Sequence, residues 1–221
     1  MIAKKTYTNL AYNRKEILRY SGAKNSTPEV EKLMEECIKE AEKQLTYQVC
    51  FCELPVLVFK EKIMFSDVKI FSKSLSNVLL FCDTAILFGA TVGVGLDRLI
   101  SKYGKISPAK ALMFQAIGAE RIETLCNAFC EEKNKEYKKQ GKSLCPRFSP
   151  GYGDLPLTLQ KELFRILNLP KNIGLTLNES MLMSPSKSVT AIVGVANCDT
   201  HAKTGCEFCE KTDCEYRKKE Q

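Results

Sequence analysis

The chain has 221 residues, and 33 Lys or Arg against 26 Asp or Glu give a formal net charge of +7. With 44% hydrophobic and 27% charged residues, the composition is that of a globular protein and excludes intrinsic disorder and collagen-like structure. The single histidine, His201, excludes sites that need several histidines and leaves a Ser-His-Asp or Cys-His mechanism with one possible base.

Two segments of the sequence argue against a membrane or exported protein. Residues 1–18 lack the apolar stretch of a secretory signal. The most apolar run, residues 77–95, contains Asp83, which is costly inside a bilayer, so we predict a buried strand there. We therefore expect a cytoplasmic protein whose cysteines are reduced thiols or metal ligands.

The N-terminal part predicts a helix followed by two strands. Residues 26–45 carry apolar side chains at helical spacing behind a cap at Ser26 or Thr27. Residues 47–60 and 62–71 are typical of strands and are predicted to pair as a hairpin. This order of elements indicates an α+β fold.

The remainder continues the α+β pattern. It predicts a short helix after residue 72, a buried strand at 84–90, a helix at 95–104, a long helix beginning at Ser107 and Pro108 whose polar end projects into solvent, a loop at 146–156, a helix at 157–167, and strands at 173–177 and 189–196.

The loop with the sequence RFSPGY, residues 147–152, is the first candidate for binding. Pro150 and Gly151 restrict its backbone, while Arg147 and Tyr152 have little reason to be core residues. An arginine on a rigid loop suits a carboxylate, because its guanidinium can make a paired, charge-assisted contact. From the residues alone, a solvated surface arginine remains the favoured alternative.

The second candidate is a cysteine cluster in the basic segment 197–221, which we treat as an appendage to a domain formed by residues 1–196. Four thiols within seventeen residues match the ligand count of a structural zinc site or an iron–sulfur cluster, and chance clustering is the alternative. The predicted metal ligands are Cys198, Cys206, Cys209 and Cys214. The other cysteines fall on apolar faces and are predicted to be core thiols: Cys37, Cys50, Cys52, Cys82, Cys126, Cys130 and Cys145.

The positive charge raises nucleic acid as a partner. Much of the excess lies in residues 133–142 and 217–219, with no aromatic side chains interleaved on a sheet face. A solvated basic surface is the simpler explanation, and a metal-stabilised nucleic-acid binding protein is the alternative from a different functional class.

Three segments, taken together, resemble a known family. They are AILFGATVGVGLDRLI (85–100), RFSPGYGDLP (147–156) and ESMLMSPSKSVTAIVGV (179–195). In this order they are similar to the activation domain of cobalamin-dependent methionine synthase in its short, freestanding bacterial form. The resemblance implies an α+β, C-shaped domain with a central twisted antiparallel sheet flanked by helices.

The resemblance also implies a binding site for S-adenosylmethionine. Arg147 would hold the carboxylate of this ligand, Ser149 would offer backbone contacts, and Tyr152 would help to close a loop shaped by Pro150 and Gly151. The other positions that match the family pattern near the ligand are Glu123, Ser188 and Val189.

By the same resemblance, the chain is a reactivation subunit in methionine biosynthesis. It would bind S-adenosylmethionine and support the reductive methylation of oxidised cobalamin, with no catalytic side chain of its own. We expect the cobalamin on a separate methionine synthase that lacks its own activation domain, because 221 residues leave no room for the other modules. An electron would come through the cysteine cluster or from a flavodoxin-like or ferredoxin-like donor. An activator of another corrinoid methyltransferase is the alternative within the same chemistry.

Overall fold

The computed structural model describes residues 1–23 and 26–197. The helices are α1 (Arg14–Ser21), α2 (Pro28–Glu42), α3 (Lys73–Leu79), α4 (Gly95–Ile106), α5 (Pro108–Lys138), α6 (Gln160–Leu167) and α7 (Leu169–Ile173). The strands are β1 (Ala3–Tyr7), β2 (Tyr47–Pro55), β3 (Leu57–Phe59), β4 (Lys62–Phe65), β5 (Val68–Phe71), β6 (Cys82–Thr91), β7 (Ser143–Leu144), β8 (Thr176–Leu177), β9 (Met183–Ser184) and β10 (Ser188–Ala196).

A five-stranded sheet in the order β1-β2-β6-β10-β7 forms the centre of the molecule, and all its neighbouring strands are antiparallel. One face packs against α1, α2, α4 and α5, and the other packs against α3, α6 and α7. The two central strands, β6 and β10, are buried over most of their length because both faces of the sheet are covered. The predicted α+β class, with an antiparallel sheet flanked by helices, is confirmed.

Local signals predicted the longer helices correctly. The side chain of Thr27 accepts the N–H of Val30 at 3.4 Å and caps α2, as its position ahead of a proline indicates. The long helix α5 begins at Pro108 as expected. Its polar end does not simply project into solvent, because Tyr137 is buried and the Lys133 ammonium lies 4.5 Å from the centre of the Phe51 ring.

The predicted strand at 173–177 is mostly wrong. Residues 169–173 form α7, with Pro170 in its first turn, and Gly174 ends the helix at φ +64°. Only Thr176 and Leu177 are in a strand. Pro170 is a helix start signal and Gly174 is a helix stop signal. The apolar residues around these two positions led instead to the prediction of a strand.

The predicted strand at 47–60 is interrupted at Val56, whose N–H donates to the carbonyl of Asp83 at 3.0 Å. The part before the break joins the central sheet, and β3 joins a separate sheet in the order β3-β4-β5. The predicted hairpin between β3 and β4 is present, with the turn at Lys60 and Glu61.

The outer face of this three-stranded sheet is largely apolar. Phe59 and Phe71 are 72% and 70% exposed, and both lie in register with Lys62 on the strand between them. Leu57 is also exposed, and Lys69 belongs to the same face. Aromatic and basic side chains are therefore interleaved on this face, which lies outside the basic stretches considered in the sequence analysis, because the register of three strands brings them together.

A buried ion pair ties the N-terminal segment to α5. Arg121 has no exposed surface, and its Nε and Nη2 each donate to the carboxylate of Glu120 at 2.6 Å. The same guanidinium donates to the carbonyls of Leu10 and Ala11 at 2.7 and 2.6 Å and lies 3.7 Å from the centre of the Tyr12 ring. The segment that leads into α1 is thereby held on α5.

Within residues 1–23 and 26–197, none of the helices combines the length and apolar character that crossing a membrane would require.

Candidate ligand site at the loop 147–155

The loop that contains the RFSPGY sequence is joined to the edge of the central sheet. Phe148 and Ile192 of β10 exchange two backbone hydrogen bonds, both of 2.9 Å. The chain then turns back, since the N–H of Tyr152 donates to the carbonyl of Ser149 at 3.1 Å and the N–H of Gly151 donates to the carbonyl of Leu155 at 2.9 Å. This loop is ordered by its own backbone.

Gly151 adopts φ +91°, a backbone conformation that glycine adopts at no steric cost. Pro150 before it is buried, whereas Tyr152 after it is 66% exposed. The turn therefore leaves the Tyr152 ring largely exposed while its proline packs inward.

Arg147 lies next to Glu123 of α5, so the structure brings these two predicted residues together across 24 positions of sequence. Its Nη2 donates to Oε2 of Glu123 at 3.0 Å and to Oδ1 of Asn127 at 2.9 Å. Burial disfavours the charged guanidinium, but the neighbouring Cys126 and Glu123 outweigh it and raise the pKa of Arg147 above the ordinary arginine value. The side chain of Arg147 is thus held charged and in one orientation, with 24% of its surface exposed.

Sequence reasoning missed Asn127. It lies four residues after Glu123 on the same helix, so both side chains belong to one face of α5. That spacing was a readable signal, but it becomes meaningful only once Arg147 is known to contact this face.

Tyr20, near the end of α1, adds to the polar surroundings of Glu123. Burial is the main cause that raises the pKa of this tyrosine, and the negative charge of Glu123 raises it further. The Arg19 guanidinium carbon lies 4.3 Å from the centre of the Tyr20 ring. The site therefore includes the C-terminal end of α1, which the sequence analysis did not predict as a helix.

Asp154 closes the loop against α3. Its Oδ1 accepts the hydroxyl of Ser72 at 2.6 Å and the N–H of Ser74 at 3.2 Å, and its Oδ2 accepts the N–H of Lys73 at 2.6 Å. Desolvation acts in the opposite direction, but these hydrogen bonds lower the pKa of the Asp154 carboxyl to about 2.

Ser188 and Val189 lie further along β10 from Arg147. At about 3.4 Å per residue, Val189 is about 10 Å and Ser188 about 14 Å from Ile192, the residue that pairs with Phe148. The Ser188 hydroxyl is buried, forms a 2.9 Å hydrogen bond with the Thr91 hydroxyl and donates to the carbonyl of Pro185 at 2.8 Å. The Ser188 side chain therefore joins the start of β10 to the end of β6.

Two cysteines of α5 flank Arg147. Burial is the main cause that raises the pKa of Cys126 to about 12 and that of Cys130 to about 11, although the arginine charge acts in the opposite direction. Neither thiol is activated as a nucleophile. Of the seven cysteines expected in the core, six are buried and Cys130 is partly exposed.

The predicted metal ligands Cys198, Cys206, Cys209 and Cys214, together with His201, lie outside the described residues. Across the described ranges, no group of three or more His, Cys, Asp or Glu side chains is arranged to hold a metal ion.

Comparisons with known proteins agree with this architecture. The chain superposes on a solved structure described as the crystal structure of the MetH reactivation domain bound to AdoHcy, with a TM-score of 0.64 and 14% sequence identity, covering 92% of this chain and 80% of that one. No curated protein sequence matches the chain. Residues 80–203, more than half of the chain, match the family described as vitamin B12 dependent methionine synthase, activation domain. This stretch includes β6, α5, the loop 147–155 and β10, so the chain belongs to the family of vitamin B12 dependent methionine synthase activation domains.

Proposed function

We propose that the chain binds S-adenosylmethionine beside Arg147 and supports the reductive methylation of oxidised cobalamin in methionine synthase. Family membership supports the reactivation role, and the AdoHcy bound to the structurally similar domain supports this class of ligand. The observation that carries the proposal is the contact between Glu123 of α5 and Arg147, which begins a loop held by its own backbone hydrogen bonds.

The charges at this contact match the amino-acid end of S-adenosylmethionine, which carries a carboxylate and an ammonium on one carbon. Both hydrogen bonds of Arg147 use Nη2, and the guanidinium has three further N–H groups on Nη1 and Nε for a carboxylate. Glu123 is positioned to accept an ammonium beside it. Arg147 would thus bind the ligand carboxylate, and Asn127 would keep the arginine in place when Glu123 turns to the ligand.

The remaining predicted residues would line a path away from Arg147. Ser149 and the turn formed by Pro150 and Gly151 would offer backbone contacts, and the exposed ring of Tyr152 would cover the ligand. Val189 and the backbone of Ser188 lie about 10 and 14 Å along β10 from Ile192, distances that suit the nucleoside end of an extended ligand.

The chain itself needs to supply only binding and orientation. Cobalamin bound on the proposed partner would supply the centre that receives the methyl group. Arg147 and Glu123 would hold the methyl donor at a fixed angle, and Tyr152 would exclude water from it. No general base is needed for a methyl transfer of this kind.

We further propose that the cobalamin is carried by a separate methionine synthase in the cytoplasm, and that Cys198, Cys206, Cys209 and Cys214 bind a metal. The four-thiol spacing supports either zinc or an iron–sulfur cluster. An iron–sulfur cluster would allow electron transfer from a flavodoxin-like or ferredoxin-like donor. Iron and sulfide assays on anaerobically purified protein test this, and zinc found in their place would exclude the redox role.

The binding proposal is tested by calorimetric titration of the wild-type protein, Arg147→Ala and Arg165→Ala with S-adenosylmethionine. Hydrogen bonds between charged groups are worth about 1.5–3 kcal/mol, so Arg147→Ala should weaken binding at least about tenfold. Arg165 is a matched control, because it is an exposed arginine paired with Asp67 and Glu162. Absence of binding by the wild type, even with the cobalamin-carrying partner present, would refute the proposal.

The outer face of the three-stranded sheet favours one second candidate, binding of single-stranded nucleic acid. Phe59 and Phe71 could stack on bases while Lys62 and Lys69 contact phosphates. Fluorescence anisotropy with a labelled oligonucleotide at two salt concentrations tests it. Tight, steeply salt-dependent binding that Phe59→Ala abolishes would support this candidate, and salt-independent or undetectable binding would exclude it.

A further inference from the structure

We propose that Asp154 is a positioning residue for the ligand. It holds the end of the loop 147–155 against the first turn of α3, so that the turn that carries Tyr152 is in place before the ligand arrives. This inference rests on the proposed binding of S-adenosylmethionine.

The contacts of Asp154 are unusually complete for an exposed carboxylate. Its two oxygens accept three hydrogen bonds, from the Ser72 hydroxyl and from the backbone N–H groups of Lys73 and Ser74. Ser72 is the N-cap of α3 and its own hydroxyl oxygen accepts the N–H of Leu75 at 3.0 Å. Asp154 thus extends the cap of a helix that is 80 residues away in sequence.

The backbone on both sides supports the same anchoring. A Cβ atom added at Gly153 would lie 2.9 Å from the Ser74 hydroxyl and 3.6 Å from Cζ of Phe148, so the loop packs closely against both. The loop is therefore attached at two points, to β10 through Phe148 and to α3 through Asp154. The turn that carries Tyr152 lies between them.

Removal of one attachment would weaken ligand binding, because the ligand would then have to order the loop. A loop with a single anchor samples more conformations, and the entropy of ordering it then opposes ligand binding. Loss of a helix cap is typically worth about a fivefold change in an equilibrium constant. We expect Asp154→Ala to weaken S-adenosylmethionine binding by about fivefold although Asp154 does not contact the ligand.

A double-mutant cycle separates this role from a general loss of stability. If Asp154 acts by positioning the turn that carries Tyr152, then Asp154→Ala should reduce affinity strongly in the wild-type background and hardly at all in the Tyr152→Ala background. Asp67→Ala is the matched control, because Asp67 is also an exposed carboxylate on a tight turn and is bonded to Arg165. The affinity of Asp67→Ala for S-adenosylmethionine should equal that of the wild type.

Amide hydrogen exchange measures the anchoring without any ligand. Asp154→Ala should accelerate exchange at Gly151 and Leu155, whose N–H groups are bonded within the loop, and should leave β10 protected.

The outcomes distinguish this inference from the proposed function. Wild-type affinity of Asp154→Ala, unchanged exchange in the loop, or additive losses in the cycle would overturn the inference alone. Failure of the wild-type protein to bind S-adenosylmethionine would overturn the proposed function, and the positioning role with it.

Discussion

Replacement of Glu120 by alanine should destabilise the protein strongly, because it leaves the Arg121 guanidinium buried without its counter-ion. Glu120 is 2% exposed and Arg121 is fully buried, and two 2.6 Å hydrogen bonds join them. Glu120 also accepts the backbone N–H of Asn13 at 3.0 Å and the hydroxyl of Thr124 at 2.6 Å. All four donors lose their acceptor in the variant.

The magnitude follows from these contacts. Two hydrogen bonds between charged groups are worth about 1.5–3 kcal/mol each, and breaking a buried ion pair by removing one partner typically costs about 3–5 kcal/mol. We therefore expect a loss of about 4 kcal/mol in the free energy of unfolding, which for a chain of this size lowers Tm by about 10 °C.

Urea unfolding followed by circular dichroism measures the loss directly. Glu16→Ala is the matched control, since Glu16 forms an exposed pair with Arg19 within α1 and such pairs contribute less than about 1 kcal/mol. Replacing both members, Glu120→Leu with Arg121→Met, should recover a large part of the loss because no unpaired charge remains buried. A loss for Glu120→Ala no larger than that for Glu16→Ala would refute this reasoning.

Two further predictions concern titrating groups near the candidate site. The raised pKa values of Cys126, about 12, and Cys130, about 11, keep both thiols protonated, so iodoacetamide at pH 8 should modify them far more slowly in the folded protein than in urea, as mapped by mass spectrometry. Rapid modification of folded protein at Cys126 would contradict its burial. The folded-state pKa of Asp154, about 2, lies below its ordinary value of 3.8, so its contribution to stability is complete above pH 4 and is lost as the pH falls toward 2. The difference in unfolding free energy between the wild type and Asp154→Ala should therefore shrink over this interval, and a constant difference would show that the carboxylate does not contribute through its charge.

The sequence predicted best those features of the fold that depend on residues close together in the chain. Thr27 and Pro28 indicate the start of α2, and Pro108 indicates that of α5, because caps and first-turn prolines satisfy requirements of the helix end itself. The apolar run in β6 likewise predicted a buried strand. The strand predicted at 173–177 was mostly wrong because the helix α7, which ends at Ile173, is only five residues long and shows almost no periodicity in sequence.

The candidate site shows the same division. The RFSPGY loop was identified from its own residues and Glu123 from the resemblance to the family, and the structure brings Arg147 and Glu123 to a 3.0 Å contact. Asn127 and Asp154 were missed. Their partners are 20 and more than 80 residues away, and no local pattern reveals such a contact.

By itself, the sequence determined the α+β class, the long helices, the restricted loop at Arg147 and the family of the protein, because each depends on residues close together in the chain. Tertiary structure alone decided which helix faces that loop, what anchors it, and which side chains interleave on the small sheet. These are contacts between distant segments. They are selected by the packing of two layers on a central sheet, whose strand order and register no local propensity encodes.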